Sequence, residues 1–184
     1  MRSRFCTCWP GATVLLTGLP NAGKTTIANE LASRLRGVGR RVVVLDGDRL
    51  RATGVDRPCR RPSASGADVR RLGLVAEVLA RNGVLALMPL VAPHPGDRAR
   101  VRARHRESST PFLEVHVATP VGVCAERDVR GAHADAVRFS GPTRADASHE
   151  CAAEPDLVVP GHGVPVMESA TLLMDLLRRE RLAG

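Results

Sequence analysis

Thr13-Val14-Leu15-Leu16-Thr17-Gly18-Leu19-Pro20-Asn21-Ala22-Gly23-Lys24-Thr25-Thr26 is the stretch on which the fold turns. Its first five residues are apolar or β-branched without alternation, the character of a short strand buried on both faces. The eight positions from Gly18 to Thr25 match G-x-x-x-x-G-K-T. In that pattern loop amides and a helix N-terminus cradle phosphates, the lysine reaches the β and γ phosphates, and the following hydroxyl ligates Mg²⁺. The reading is therefore specific: Gly18, Asn21, Ala22, Gly23, Lys24, Thr25 and Thr26 bind ATP, Lys24 also serves catalysis, and Thr25 is a metal ligand. Gly18 and Gly23 supply backbone angles and a close approach that side chains would block.

Composition supports the same loop. Lys24 is the sole lysine among 27 Lys and Arg residues. Where arginine stands at every other basic position, the surviving lysine marks a place that needs a compact ammonium on a thin stem. The net charge of +8 raises nucleic acid as a partner. The arginines, however, run from Arg2 to Arg181, and three Phe, one Trp and no Tyr leave little to stack on bases. A small-molecule partner is expected instead of a nucleic acid. The five cysteines, Cys6, Cys8, Cys59, Cys124 and Cys151, are odd in number and hold no C-x-x-C pair, so reduced thiols are expected rather than a disulfide framework or zinc site. No apolar run is long enough to span a membrane. The run Ala12 to Leu19 flows straight into the loop, which argues against a cleaved leader and for a cytoplasmic location.

Outward from the loop, the chain alternates. A helix is predicted from about Thr25 to Arg36, with Ile27, Leu31 and Leu35 on one face and Gly37 and Gly39 ending it. Arg41 to Leu45 reads as a second strand closing on Asp46-Gly47-Asp48. Residues 52–66, rich in Pro, Gly, Ser and Arg, read as a loop. A helix follows over Ala67 to Arg81, with Val69, Leu72, Val75, Ala76 and Leu79 inward. Val84 to Leu90 is a third strand, Pro95 or Gly96 opens a charged helix to Glu107, and Phe112 to Val117 is a fourth strand. Pro120 starts a helix to about Arg127. An irregular stretch, 128–154, precedes a short strand, Leu157 to Val159, and an amphipathic helix from Val166 to about Arg181. One domain over 1–184 is expected. Its fold class is α/β: a three-layer α/β/α sandwich of P-loop NTPase type around a five-stranded parallel sheet. Ligands then bind beyond the carboxyl ends of the strands, where Gly18, Asp46, Leu90 and Thr119 all fall.

The third strand ends Leu87-Met88-Pro89-Leu90, without an acidic residue, so another carboxylate must serve. Asp46 is the candidate, either positioning Mg²⁺ through water or accepting the acceptor hydroxyl's proton. Asp48 has two readings, a second catalytic carboxylate or a cap for a helix beginning near Arg49.

Several pieces, in order and spacing over roughly residues 13–160, resemble the adenylylsulfate (APS) kinases, which phosphorylate the ribose 3′-hydroxyl of APS with ATP. They are Thr17-Gly18-Leu19 with the loop, Leu45 to Arg51, Arg70-Arg71-Leu72-Gly73, Pro93 with Asp97-Arg98 and Arg100 to Arg102, Phe112 to Val115 with Thr119-Pro120, Glu126-Arg127-Asp128, and Phe139-Ser140-Gly141. The resemblance implies that Asp46 is the catalytic carboxylate and that Asp48 and Arg51 line the acceptor pocket. It also puts Arg71 and Phe139 on the substrate and gives Arg127, in a lid over about 128–150, to ATP and to catalysis. A homodimer is compatible with it.

Departures from the pattern gather on the acceptor side. Where the family has G-F-S-x-x-D-R-x-E-N, this chain has Arg60 to Asp68, without the aromatic, the arginine and the asparagine that bind APS. The family's I-S-P-Y-R becomes Val91-Ala92-Pro93-His94-Pro95, the lid becomes Val129 to Ala136 with a shortened spacer, and P-Y-E becomes Ala145-Asp146-Ala147. A stacked base and a charge-assisted contact are each worth about 1–3 kcal/mol. Losing several implies an acceptor other than APS, a nucleotide-like or specialised-metabolite hydroxyl, with Arg60, Arg61, His94 and His133 as candidates for the replacement pocket. A true APS kinase and a non-catalytic nucleotide-binding regulatory module remain the alternatives.

Overall fold

Every residue of β1, Ala12–Thr17, is buried, as its unbroken apolar character requires. It is the central strand of the computed structural model, which describes residues 9–47, 66–128 and 154–183. Around it, in chain order, come α1 (Lys24–Gly37), β2 (Val42–Val44), α2 (Gly66–Arg81), β3 (Leu85–Pro89), α3 (Pro95–Glu107), β4 (Phe112–Ala118), α4 (Val121–Glu126), β5 (Leu157–Pro160) and α5 (Val166–Arg179). The expected strands and helices of the described residues are present, with ends shifted by at most two residues. The last helix stops at Arg179, and Arg181 turns back at φ +58°.

The strands form one parallel sheet in the order β2-β3-β1-β4-β5. Thr13 stands beside Ala86 of β3 and Phe112 of β4, and Val115 beside Leu157 of β5. Because β3 lies between β1 and β2, Asp46 is one strand further from the phosphate loop than a reading that sets β2 beside β1 would place it.

Side chains of β1 divide between two cores, as strand alternation dictates. Val14 and Leu16 pack with Ile27, Leu31 and Leu35 of α1 and with Leu173 and Leu177 of α5. Leu15 joins Val69 and Ala76 of α2, Met88 of β3, Val101 of α3 and Phe112 of β4 on the other face. Each such leucine contributes about 1.5–3 kcal/mol through burial. Helices α2 and α3 approach closely at Gly73, where a Cβ would sit 2.6 Å from Val101 Cγ2.

One expected core residue is not in the core. Val75 is 46% exposed, while Val69 and Ala76 are buried and Leu72 and Leu79 half-covered. The periodicity gave the right helix but drew its apolar stripe one position too wide.

Candidate active site

The loop leaves β1 at Thr17 and takes positive φ at three places: Gly18 (+140°), Asn21 (+62°) and Gly23 (+97°). Gly18 also has no room for a side chain, since a Cβ would lie 2.7 Å from the Val117 carbonyl oxygen. Gly23 caps α1 in the left-handed conformation, and asparagine is among the few other residues that adopt it readily at position 21. Lys24 opens the helix and is only 8% exposed. Its Nζ donates to the carbonyls of Gly18 at 3.0 Å and Leu19 at 2.6 Å, so the ammonium lies across the loop it belongs to. Thr25 is half-buried beside it, Ala22 is buried and Thr26 is exposed.

Two hydrogen bonds brace this loop from the β4 side of the sheet. Thr119 Oγ1, just past β4, donates to the Ala22 carbonyl at 2.8 Å. Asn21 Nδ2 donates to Asp128 Oδ1 at 3.1 Å. Arg127, which ends α4, sends Nη1 to the Gly161 carbonyl at 3.0 Å, and a Cβ on Gly23 would stand 3.9 Å from that same nitrogen. Arg127 therefore lies beside the loop. Gly161 is a residue the sequence did not single out. A side chain there would overlap Thr119 Oγ1 and the Ala22 carbonyl. The Gly161-His162-Gly163 run after β5 was the available signal. Cys124 sits beneath this corner, its thiol donating to the Thr119 carbonyl at 3.8 Å, and burial pushes its pKa up against the pull of Lys24 and Arg127.

The other half of the edge carries Asp46, 6% exposed, just past β2, where the Leu45 amide donates to Leu87 at 2.8 Å. The tip of β3 between them presents buried Met88, Pro89 and Leu90 and no carboxylate. His116 of β4 pairs in register with Thr17, half-buried, and burial followed by the Arg98 guanidinium holds its imidazole below the ordinary value. Arg71 lies on the exposed side of α2 and His94 is exposed at the start of α3. Asp48, Arg51 and Phe139 lie outside the described residues, as do Arg60, Arg61, His133 and the lid beyond Asp128.

This layout can be set against known proteins. A family model described as adenylylsulphate kinase matches residues 10–160. The chain belongs to the adenylylsulphate kinase family. Among relatives of this kinase, a probable adenylyl-sulfate kinase from Synechocystis is 38% identical over 149 residues, 80% of this chain and 82% of its own. An adenylyl-sulfate kinase from Synechococcus is 36% identical over 178 residues, 91% and 94% of the two chains. Among solved structures, the Mycobacterium tuberculosis APS kinase in complex with AMPPNP and APS superposes with a TM-score of 0.77 at 31% identity, covering 92% of this chain and 98% of that one. The kinase is accordingly an ATP-dependent phosphotransferase with an alcohol group as acceptor, served by Mg²⁺.

Proposed function

We propose that this kinase transfers the γ-phosphate of Mg-ATP to the hydroxyl of a nucleotide-like or specialised-metabolite acceptor that is not APS. The observation that carries the reading is an asymmetry of the sheet edge. Its nucleotide half keeps the whole loop, with Lys24 held on two carbonyls and Arg127 beside Gly23. Among the described residues of its acceptor half, the turn after β3, Val91-Ala92-Pro93, carries no side-chain hydroxyl or charge.

The loop fits a polyphosphate: it takes positive φ at three residues and runs into a helix N-terminus, whose first amides have no intrahelical acceptor, and the lysine beside them can exchange carbonyl partners for phosphate oxygens. Among the described residues no three His, Cys, Asp or Glu converge. Thr25 and Asp46 are the protein groups that would hold Mg²⁺, which keeps several waters and takes phosphate oxygens. Bound there, the ion neutralises phosphate charge. Lys24 and Arg127 stabilise the charge that develops on the transferring group, and Asp46 aligns or deprotonates the acceptor hydroxyl. Asp48, Arg51, Arg71 and Phe139 are assigned to the acceptor by the resemblance, and 128–150 to a lid that excludes water. The assignment includes a cytoplasmic location. Among the described residues no helix is long and apolar enough to cross a membrane.

A second reading, APS kinase itself, is favoured by the 38% identity to the Synechocystis relative. Measuring ADP release with APS and with a panel of nucleosides, sugars and amino alcohols separates the two. The expectation is turnover with APS at least about 100-fold below that with the best panel member, the size of several lost contacts. Lys24→Ala should lower the preferred reaction by on the order of 10² to 10³. Turnover with APS above every other acceptor would establish the second reading. Nucleotide binding without transfer to any hydroxyl would leave the regulatory module.

A further inference from the structure

Immediately after β3 the backbone does something its sequence does not invite. Ala92, fully buried, has φ +43°, in the left-handed region that glycine or asparagine normally fills. Nothing in the alanine side chain can stabilise that conformation. Its carbonyl, however, accepts a hydrogen bond of 2.7 Å from Nη1 of Arg98. Arg98 is itself buried, 3% exposed, and its Nε meets Glu114 Oε1 at 2.6 Å. Glu114 of β4 is anchored in turn: Arg102 lies 3.6 Å from Oε2, and its backbone amide donates to Asp156 at 2.7 Å. Arg102 and Asp156 close the ring at 2.9 Å.

A buried ion pair is weak evidence for stability, because desolvation offsets the attraction, but it can impose one conformation where several compete. Here the enforced conformation is the turn Val91-Ala92-Pro93-His94. Leu90, just before it, donates to the Leu16 carbonyl at 3.0 Å, which fixes one end of the turn beside the phosphate loop. His94 begins α3 at the other end and is exposed. It carries the turn's one polar side chain, so the path through Ala92 decides where that imidazole is aimed.

We infer that Arg98 and Glu114 are positioning residues: acting through the Ala92 carbonyl, they hold the turn in its left-handed bend and present His94 to the acceptor. The inference rests on the proposed acceptor side of the edge, and its test has an arm that does not.

That arm is a stability cycle. Replacing both partners, R98M with E114Q, avoids leaving one buried charge alone. Glycine at position 92 relieves the left-handed strain only while the lock enforces it. Ala92→Gly should therefore be more favourable in the otherwise unchanged chain than in R98M/E114Q, by about 2 °C or more in Tm. Equal shifts in the two backgrounds would overturn the lock. If R98M/E114Q does not fold, Arg98→Lys serves, since a single ammonium cannot hold both Glu114 and the Ala92 carbonyl.

The functional arm uses APS and the best hydroxyl compound of the panel as acceptor probes. R98M/E114Q should raise the acceptor KM by about tenfold, the worth of a lost hydrogen bond, and leave the KM for ATP within about twofold. His94→Ala should raise the acceptor KM in the native background and add little in R98M/E114Q. A uniform loss in both substrates, or additive effects of the two changes, would reduce Arg98 to a structural role. Absence of turnover with every probe would sink the proposed acceptor chemistry while the stability cycle still decides the lock.

Discussion

His105 shows how much one buried side chain can say about pH. It lies on α3 against β1, with Nδ1 2.8 Å from the Val101 carbonyl and Nε2 2.8 Å from Thr13 Oγ1. Facing a carbonyl, Nδ1 carries the proton of the neutral ring, and Nε2 accepts from the threonine hydroxyl. Burial accordingly pushes its pKa below the ordinary 6.5. The unfolded chain then takes up the proton first. Above pH 6.5 both states are neutral at this site and it contributes no slope. As pH falls below 6.5 toward the lower folded value, stability is lost, by up to about 1.4 kcal/mol per pH unit for one proton. His116, also shifted down, works in the same direction. Urea unfolding between pH 7 and 5 should show this decline, and His105→Gln should flatten it by about one proton's worth. A variant that follows the native slope would show that His105 is not the group involved.

At the scale of elements, the nucleotide loop is held by corners that come from two different connections, the one after β4 and the one after β5. Thr119 follows β4, Arg127 ends α4, and Gly161 follows β5, yet all three meet at Ala22 and Gly23. Gly161 is where this packing is least forgiving. Gly161→Ala should push Thr119 off the Ala22 carbonyl, cost about 1–3 kcal/mol as an overpacked site, and weaken AMPPNP binding measured by calorimetry. Gly122→Ala, in α4 with open space around it, is the neutral control. An equal, negligible effect of both changes would mean that the corner does not brace the loop. The strands and the loop were legible because each is a local statement: apolar runs stopped by glycine or proline, and a phosphate motif between a strand and a helix. Gly161 was not, because its constraint arises only when Thr119 and Ala22, 97 residues apart, come together. The position of Asp46 was half legible. The sequence puts it at the carboxyl edge, but only the strand order shows β3 intervening. Arg98 and Glu114 each stood in recognised motifs, yet their pairing is a tertiary fact that no periodicity contains.

Across the whole molecule, the edge opposite the site is closed by one guanidinium. Arg40, 1% exposed, donates through Nε to Leu182 at 3.2 Å, through Nη1 to Gly83 at 3.0 Å, and through Nη2 to Pro10. It thereby ties the approach to β1, the turn into β3 and the end of the last helix together at the amino end of the sheet. Trp9 covers it, its ring 5.9 Å from the guanidinium carbon. The cost is desolvation, which together with Arg41 draws the Arg40 pKa down. Five donors in a rigid fork suit three carbonyls as an ammonium cannot, so this is a site where arginine rather than lysine is required, the converse of Lys24. Truncation leaves three carbonyls without their donor, while the lost desolvation cost returns part of the energy. Arg40→Ala should thus lower unfolding stability by on the order of 2–4 kcal/mol, and Arg40→Lys by less. Urea denaturation followed by the fluorescence of Trp9, the sole tryptophan, reads this directly. Because the clamp lies at the far end of the strands from Lys24, AMPPNP affinity of the folded variants should stay within about twofold of the native chain, as expected for distant, independent sites. A large loss of nucleotide binding at unchanged stability would mean that the two ends of the sheet are coupled and that Arg40 acts on the site rather than on the fold.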